Sequence, residues 1–244
     1  MTGGIPEHSG TEIIVALDVN DRKDLEKWGV MLQAKVNWVK VGMELFYAQG
    51  PAVIDFLKEK GFKVFLDLKL HDIPNTVEKA AQVLAKMGVD IFNLHTLGGT
   101  DMMKRTALTI KCARARVKII GVTVLTSHSD RVLKDELSIS TGMEAEVLHL
   151  ASLAKDSGLD GVVCSPREVR KIKESCGRSF LTVVPGVRPV WADRGDQVRI
   201  LTPGKAVGEG ADYLVIGRPI LQAPDPLKAI DLIREEMEDS APGL

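Results

Sequence analysis

The sequence has few cysteines, with only three among its 244 residues. Cys112, Cys164 and Cys176 form neither the paired framework of a small secreted domain nor the close spacing of a metal site. This scarcity argues against a protein that depends on disulfide bonds or on a structural metal ion. We therefore expect reduced thiols in a cytoplasmic protein.

Long apolar runs and an excess of charge of one sign are also missing. No apolar stretch approaches the ~18 residues that a membrane-spanning helix needs, and residues 1–10, MTGGIPEHSG, lack the basic and apolar segments of a signal peptide. The chain has 32 Lys and Arg against 33 Asp and Glu, which gives a formal charge of −1. This balance argues against nucleic acid or an acidic membrane as the partner. We expect residues 1–10 to form a flexible tail and the protein to have no membrane association.

The sequence is rich in short apolar runs that alternate with amphipathic helical stretches such as residues 74–88 and 143–158. This alternation is typical of a parallel sheet covered by helices. About eight such units favour a single α/β domain, a (β/α)8 TIM barrel over residues 11–244, with an open doubly wound sheet as the alternative. Two long connections, 127–141 and 188–202, are typical of lids or binding loops. The predicted strands cover residues 12–19, 38–42, 63–69, 91–96, 117–126, 161–165, 180–187 and 213–217.

Charged side chains stand near the carboxyl ends of the first three predicted strands, where the active site of such a barrel lies. The third strand carries Asp67 and Lys69, which a regular strand would turn to one face about 6.6 Å apart. Lys40 on the second strand and Asp18 on the first are expected beside them, and Asp72 follows at the turn into the next helix. A structural ion-pair network is the alternative, but charge clusters in clefts are more often functional. The sequence therefore predicts a reaction centre.

Two segments containing glycine and arginine follow the last two predicted strands. VVPGVRP carries Arg188 after strand seven, and VIGRPI carries Gly217 and Arg218 after strand eight. Glycine lets backbone N–H groups approach an anion closely, and arginine can bind its oxygens bidentately. The loops after these strands are the customary phosphate site of the barrel. We predict a phosphate site here, with the polar segment 191–203 closing over the ligand.

These segments together resemble the orotidine 5′-monophosphate decarboxylase family in its bacterial form. The resemblance covers nearly the whole chain, through VALDV, VKVGMELF, FLDLKLHDIPNTV, VTVLTS, VPGVRP, GDQ and VIGRPI. It implies the decarboxylation of orotidine 5′-monophosphate to uridine 5′-monophosphate in de novo pyrimidine biosynthesis. It also implies an enzyme that uses neither a metal nor a cofactor.

The resemblance further implies roles for individual residues. Lys69 would protonate a carbanion intermediate, and Asp67, held by Lys40 and Lys69, would face the substrate carboxylate. Asp72 and Thr76 would reach into the active site of a partner subunit, which makes the unit a homodimer with shared sites. The other residues implied to bind substrate are Asp18 and Lys40 at the ribose hydroxyls, Thr126 near the pyrimidine, Gln197 between phosphate and base, Gly217 and Arg218 at the phosphate, and Arg188 in the adjoining loop.

Two alternative functions stay open from the sequence. Magnesium-dependent sugar-phosphate decarboxylases and synthases of the same scaffold resemble this chain around the Asp-x-Lys-x-x-Asp strand, but typically have a metal-binding Glu where this chain has Lys40. A non-catalytic nucleotide-binding relative would have little need for every charged partner. His71 and His95 are expected to have packing or surface roles rather than catalytic ones.

Overall fold

The structure, a computed structural model, describes residues 10–192 and 201–240. In this part of the chain eight parallel strands pair in chain order, and the last pairs with the first to close a barrel. The closure confirms the predicted (β/α)8 barrel and excludes the open sheet. Residues 1–9 of the predicted tail lie outside the described residues. The strands are β1 Glu12–Leu17, β2 Trp38–Gly42, β3 Lys63–Leu70, β4 Ile91–His95, β5 Lys118–Val122, β6 Gly161–Val163, β7 Leu181–Pro185 and β8 Tyr213–Ile216.

Some of the helices begin at a side-chain cap or at a proline. The Asp21 and Asp225 side chains accept a hydrogen bond from the N–H three residues on, and proline occupies the first turn of the helices that start at Pro74 and Pro226. None of the helices in the described ranges is long and apolar enough to cross a membrane. The helices are α1 Arg22–Leu32, α2 Met43–Gln49, α3 Ala52–Glu59, α4 Pro74–Lys86, α5 Gly99–Cys112, α6 Met143–Asp156, α7 Val169–Cys176, α8 Pro203–Gly208, α9 Arg218–Leu221 and α10 Pro226–Glu238.

The core has two layers, one inside the barrel and one between the barrel and the helices. Trp38 and Tyr213, the first residues of β2 and β8, meet edge to face with ring centroids 5.2 Å apart. They fill the amino-terminal end of the barrel, together with buried residues such as Ile14 and Ile91. Because that end is filled by side chains, a substrate can enter only at the carboxyl ends of the strands.

Several predicted strands run past the strands observed, and the fifth does so by the most residues. The fifth run was expected to extend to Thr126, but β5 ends at Val122. Its neighbour β6 has only three residues and ends at Val163, whose carbonyl oxygen accepts from the Thr123 N–H, so the backbone beyond Thr123 has no strand to pair with on that side. Thr126 therefore lies in the loop after β5 rather than at the end of a strand. That loop also contains a short π-helical turn at Val132–Glu136.

Candidate active site

Four side chains of alternating charge line the carboxyl ends of β1, β2 and β3. Lys69 Nζ lies 2.6 Å from Asp67 Oδ1, and Lys40 Nζ lies 3.4 Å from Asp67 Oδ2. Lys40 Nζ also lies 3.3 Å from Asp18 Oδ1. The order Asp18, Lys40, Asp67, Lys69 gives each inner charge a partner of opposite sign on both sides. We call these four residues the charge chain.

The inner members of the charge chain are largely withdrawn from water. The side chains of Lys40 and Asp67 are 12% and 13% exposed, whereas that of Asp18 is 54% exposed. Burial would raise the pKa of Asp67, but the ammonium groups of Lys40 and Lys69 outweigh this effect and hold that pKa below its ordinary value. Asp67 is therefore an anion at neutral pH. Gly42 leaves room for this arrangement, since a Cβ there would lie 2.9 Å from Lys40 Nζ.

The backbone that presents Lys69 departs from a regular strand. Lys69 has a φ of 52°, in the left-handed region that costs a non-glycine residue about 1–2 kcal/mol. The pairing of β3 with β4 also shifts register between Leu66 and Leu70. Asp67 and Lys69 share one side of β3 as expected, but the regular strand geometry assumed for them does not hold. The bulged backbone brings the two side chains into direct contact instead.

Asn93 in β4 also belongs to the site, although it is not among the residues predicted from the sequence. Its side-chain Nδ2 donates to Asp67 Oδ1 at 2.7 Å, and its Oδ1 accepts from the Lys69 backbone N–H at 2.8 Å. The available signal was an asparagine inside the apolar run IFNLH. A buried polar side chain needs hydrogen-bond partners, and here both partners belong to the charge chain.

The charge chain borders a cavity of about 160 Å³ whose opposite side is apolar. Lys40, Asp67, Lys69 and Asn93 come from β2, β3 and β4 and form the polar wall. Thr126 stands on the other side, after β5. Most of the apolar wall comes from β5 to β8 and the loop after β5, and Phe65 of β3 adds to it. Its residues are Phe65, Val122, Val124, Leu125, Val163, Val183, Pro185 and Val215. A planar ring that carries a charged group on one edge would match this division.

Two arginines line a second cleft of about 390 Å³ after β7 and β8. Arg188 is buried and donates from Nη1 to the Val187 carbonyl oxygen at 3.0 Å, while Arg218 is exposed at the start of α9. Trp191 also lines this cleft. A Cβ at Gly217 would lie 3.1 Å from Asp18 Oδ2, so the cleft and the charge chain adjoin each other. Two guanidinium groups beside a glycine suit an anion such as a phosphate.

Three of the predicted site residues lie apart from the charge chain or outside the described ranges. Asp72 and Thr76 are exposed, and Asp72 Oδ1 accepts from the Ile73 N–H at 2.6 Å. Within the described residues no ion pair joins Asp72 to Lys69 or Lys40 in the same chain. Gln197 belongs to residues 193–200, which the structure does not describe.

His95, at the end of β4, is a partly buried imidazole close to the site. Its Nδ1 is buried and has no hydrogen-bond partner among the residues that the structure describes, and its ring lies 5.4 Å from that of the exposed His71. Burial and the nearby His71 and Lys69 lower the pKa of His95 to about 4. The imidazole is therefore neutral at physiological pH. No group of three or more His, Cys, Asp or Glu side chains in residues 10–192 and 201–240 could hold a metal ion.

We expect the lowered pKa of His95 to make the protein less stable in mild acid. Unfolded His95 takes up a proton near pH 6.5 and folded His95 only near pH 4, so protons favour the unfolded state between these values. Above pH 6.5 His95 is neutral in both states and costs no stability. As the pH falls from 6.5 to 4, the free energy of unfolding decreases. Because the ring is partly solvated, we expect an effect on the order of 1 kcal/mol.

Urea unfolding of wild type and His95→Gln at several pH values between 4 and 7 measures this effect. The variant should lose less stability than wild type across the window. His149→Gln, which changes an exposed histidine on α6, is the control and should follow wild type. If the free energy of unfolding falls with pH equally in wild type and His95→Gln, then His95 does not resist protonation.

Comparison with known proteins identifies a family. The family model described as Orotidine 5′-phosphate decarboxylase / HUMPS family matches residues 11–233. An orotidine 5′-phosphate decarboxylase from Geotalea daltonii is 49% identical over 234 residues, which cover 95% of this chain and 98% of that protein. Another from Halalkalibacterium halodurans is 50% identical over 230 residues, with 93% and 98% covered.

A solved structure agrees with these sequence comparisons. The crystal structure of orotidine 5′-phosphate decarboxylase from Lactobacillus acidophilus matches with a TM-score of 0.80 at 42% identity, covering 93% of this chain and 99% of that chain. The matched family range begins before β1 and ends within α10, so it includes the whole barrel. The chain therefore belongs to the orotidine 5′-phosphate decarboxylase / HUMPS family, which confirms the predicted family and the predicted class of enzyme, a carbon–carbon lyase.

Proposed function

We propose that the protein decarboxylates orotidine 5′-monophosphate to uridine 5′-monophosphate in pyrimidine biosynthesis, and that it does so without a metal or a cofactor. The observation that carries this proposal is the charge chain beside a cavity with one apolar wall. The adjoining two-arginine cleft suits the 5′-phosphate, and relatives about 50% identical are orotidine 5′-phosphate decarboxylases. The cytoplasmic location predicted from the cysteines is part of the proposal, and all three cysteines are free thiols.

The reaction breaks the bond between the pyrimidine ring and its carboxylate and leaves an electron pair on the ring carbon. Lys69 Nζ then gives a proton to that carbon, which forms the new C–H bond and leaves a neutral amine that regains its proton from solvent. Asp67 keeps the Lys69 ammonium in place before the transfer, at 2.6 Å. Asp67 also faces the substrate carboxylate, so its negative charge favours departure of carbon dioxide over retention of the carboxylate.

The electrostatic contribution of Lys69 alone is too small to account for catalysis. One charge at about 4 Å in an effective dielectric of about 20 contributes roughly 4 kcal/mol, whereas enzymes typically lower a barrier by about 8–23 kcal/mol. The remainder must come from preorganised neighbours, from exclusion of water and from binding of the distant phosphate. The second ammonium at Lys40, the apolar wall and the two-arginine cleft are suited to these three contributions.

We take the ribose and base contacts from the family resemblance, and the geometry is compatible with them. Asp18, the exposed end of the charge chain, and its neighbour Lys40 are assigned to the ribose hydroxyls between the base and the phosphate. Thr126 faces the cavity from the loop after β5 and is assigned to the pyrimidine. Arg188, Gly217 and Arg218 are assigned to the phosphate end, and Gln197, outside the described residues, to a contact between phosphate and base.

We further propose that the working unit is a homodimer in which Asp72 and Thr76 enter the partner's site. Both residues are exposed in the single chain and follow the strand that carries Asp67 and Lys69. Large apolar side chains are exposed nearby, after three successive strands, as interfaces between subunits require. These are Met43 and Tyr47 after β2, Ile73 after β3 and Leu97 after β4.

A magnesium-dependent sugar-phosphate lyase is the second candidate, because the matched family includes more than one activity. Lys40 argues against it. The Lys40 ammonium lies between the carboxylates of Asp18 and Asp67, within 3.4 Å of each, where a divalent ion bridging them would have to bind. A cation at this position repels a second cation.

Turnover of orotidine 5′-monophosphate in excess chelator distinguishes the two candidates. We expect full conversion to uridine 5′-monophosphate with EDTA present, and no stimulation when magnesium is added back. Absorbance of the pyrimidine follows the reaction, and chromatography of the product confirms its identity. Activity that requires magnesium would support the second candidate, and tight binding of uridine 5′-monophosphate without turnover would support a non-catalytic nucleotide-binding protein.

A further inference from the structure

Asn93 is a polar side chain enclosed in β4, between Phe92 and Leu94, and it is 1% exposed. Its Nδ2 donates to Asp67 Oδ1 at 2.7 Å, and its Oδ1 accepts from the Lys69 N–H at 2.8 Å. The chemistry of the partners fixes the orientation of the amide, because a backbone N–H can only donate and a carboxylate can only accept. One side chain thus contacts both residues assigned to the proton transfer.

The hydrogen bond from the Lys69 N–H to Asn93 stands where the pairing of β3 with β4 is interrupted. Leu66 pairs with Phe92 and Leu70 with Leu94, so β3 advances by more residues than β4 between these pairs. Lys69 lies inside this bulge with a φ of 52°. Its N–H is bound by the Asn93 side chain rather than by a β4 carbonyl group. Asn93 therefore stabilises the bulge at the residue whose backbone is least favourable.

We propose that Asn93 is a positioning residue that fixes the Asp67 carboxylate and the Lys69 ammonium relative to one another. Asp67 Oδ1 accepts from both Lys69 Nζ, at 2.6 Å, and Asn93 Nδ2, so a rotation of the carboxylate that moved this oxygen away would break both hydrogen bonds. Lys69 is held at its backbone N–H by Asn93 and at Nζ by the carboxylate that Asn93 orients. The inference rests on the proposed function, and it identifies what sets the geometry of the proton transfer.

Asn93→Ala removes both hydrogen bonds and tests the inference by steady-state kinetics. Misplacement of a catalytic group by about 1 Å can lower a rate about 100-fold, and we expect a loss of kcat of this size. The KM for orotidine 5′-monophosphate and the Kd for uridine 5′-monophosphate should change less than about threefold, because the two-arginine cleft is unaffected. Thr106→Ala is the matched control. It removes a buried hydroxyl that donates to the Met102 carbonyl oxygen at 2.8 Å within α5, and it should keep kcat within about twofold of wild type.

Asn93→Asp is nearly isosteric and tests the positioning role of Asn93 even if the alanine variant does not fold. The new carboxylate still accepts from the Lys69 N–H but faces Asp67 with an acceptor in place of a donor. We expect kcat to fall at least as far as in Asn93→Ala. The pKa of Asp67, measured by carbon-13 NMR, should rise, because a second carboxylate nearby disfavours the ionised form. Lys40, Lys69 and His95, the other titratable groups around Asp67, are unchanged in the variant.

A folded Asn93→Asp protein with kcat within threefold of wild type, or with an unchanged titration of Asp67, would overturn the inference. Loss of thermal stability equal to that of Thr106→Ala with no effect on kcat would show a purely structural role. If wild type itself does not turn over the nucleotide, the proposed function has failed. The NMR titration then still decides whether Asn93 sets the state of Asp67.

Discussion

Replacement of Lys69 by alanine is expected to abolish turnover while much of the affinity for uridine 5′-monophosphate is retained. General acid catalysis by a positioned side chain contributes about 10²–10⁴-fold, and the lost ammonium removes roughly a further 4 kcal/mol of electrostatic stabilisation. We therefore expect kcat to fall by at least about 10⁴-fold. Lys69 does not line the cleft of Arg188 and Arg218 that we propose for the phosphate, so we expect the binding energy of that group to persist. Single-turnover kinetics and calorimetric titration with the product measure the two quantities separately.

The control for this substitution is Lys171→Ala. Lys171 is an exposed lysine of α7 whose Nζ lies 2.6 Å from Glu144 Oε1 on α6. Its loss removes one ammonium and one surface ion pair, as Lys69→Ala removes one ammonium and one ion pair in the site. We expect the Lys171→Ala protein to keep the wild-type kcat. Near-normal turnover in Lys69→Ala would exclude Lys69 as the proton donor.

Mixing two inactive variants is expected to restore activity, provided that Asp72 acts across a dimer interface. Lys69→Ala and Asp72→Ala each damage every site of their own homodimers. In a mixed dimer with two-fold symmetry, both defects fall in one site and the other site receives Lys69 and Asp72 unaltered. Random exchange makes half of the dimers mixed, so about a quarter of wild-type activity should return. Activity measured against the mixing ratio tests this expectation.

The mixing experiment has two informative failures. Full activity of Asp72→Ala by itself would remove Asp72 from the site altogether. Two inactive variants that exchange subunits without recovering activity would show that Asp72 acts on the Lys69 of its own chain. As a control, wild type mixed with Lys69→Ala should give activity in proportion to the wild-type fraction, because each intact site works independently.

The fold and the location of the site follow from local features of the sequence. The alternation of apolar runs with amphipathic stretches predicts a parallel barrel, and charges at strand ends then fall at one mouth. The local conformation at Lys69 could not be predicted in this way. A lysine in an apolar run gives no indication of a positive φ, and the Asn93 side chain that binds the Lys69 N–H lies 24 residues away in the sequence.

Other differences between the predicted and the observed structure also arise from contacts between segments that are distant in the sequence. The apolar pattern of β5 continues to residue 126, and the strand ends at Val122 because β6 offers it no further partner. Asp72 and Thr76 are an extreme case, since the contacts proposed for them belong to a second chain. Sequence patterns describe what a segment prefers, whereas these features depend on which segment lies beside it.

The division of the cavity into a polar wall and an apolar wall has a consequence for how such a barrel can change its reaction. The charges proposed to act in the reaction come from β1 to β3, whereas the cleft proposed for the phosphate comes from the loops after β7 and β8. Substitutions in the first half of the barrel can therefore change which bond is broken without lowering the affinity for the phosphate group of the substrate. This modular arrangement makes the scaffold evolvable, because a new activity on another phosphate ester can arise while recognition of the phosphate is inherited unchanged.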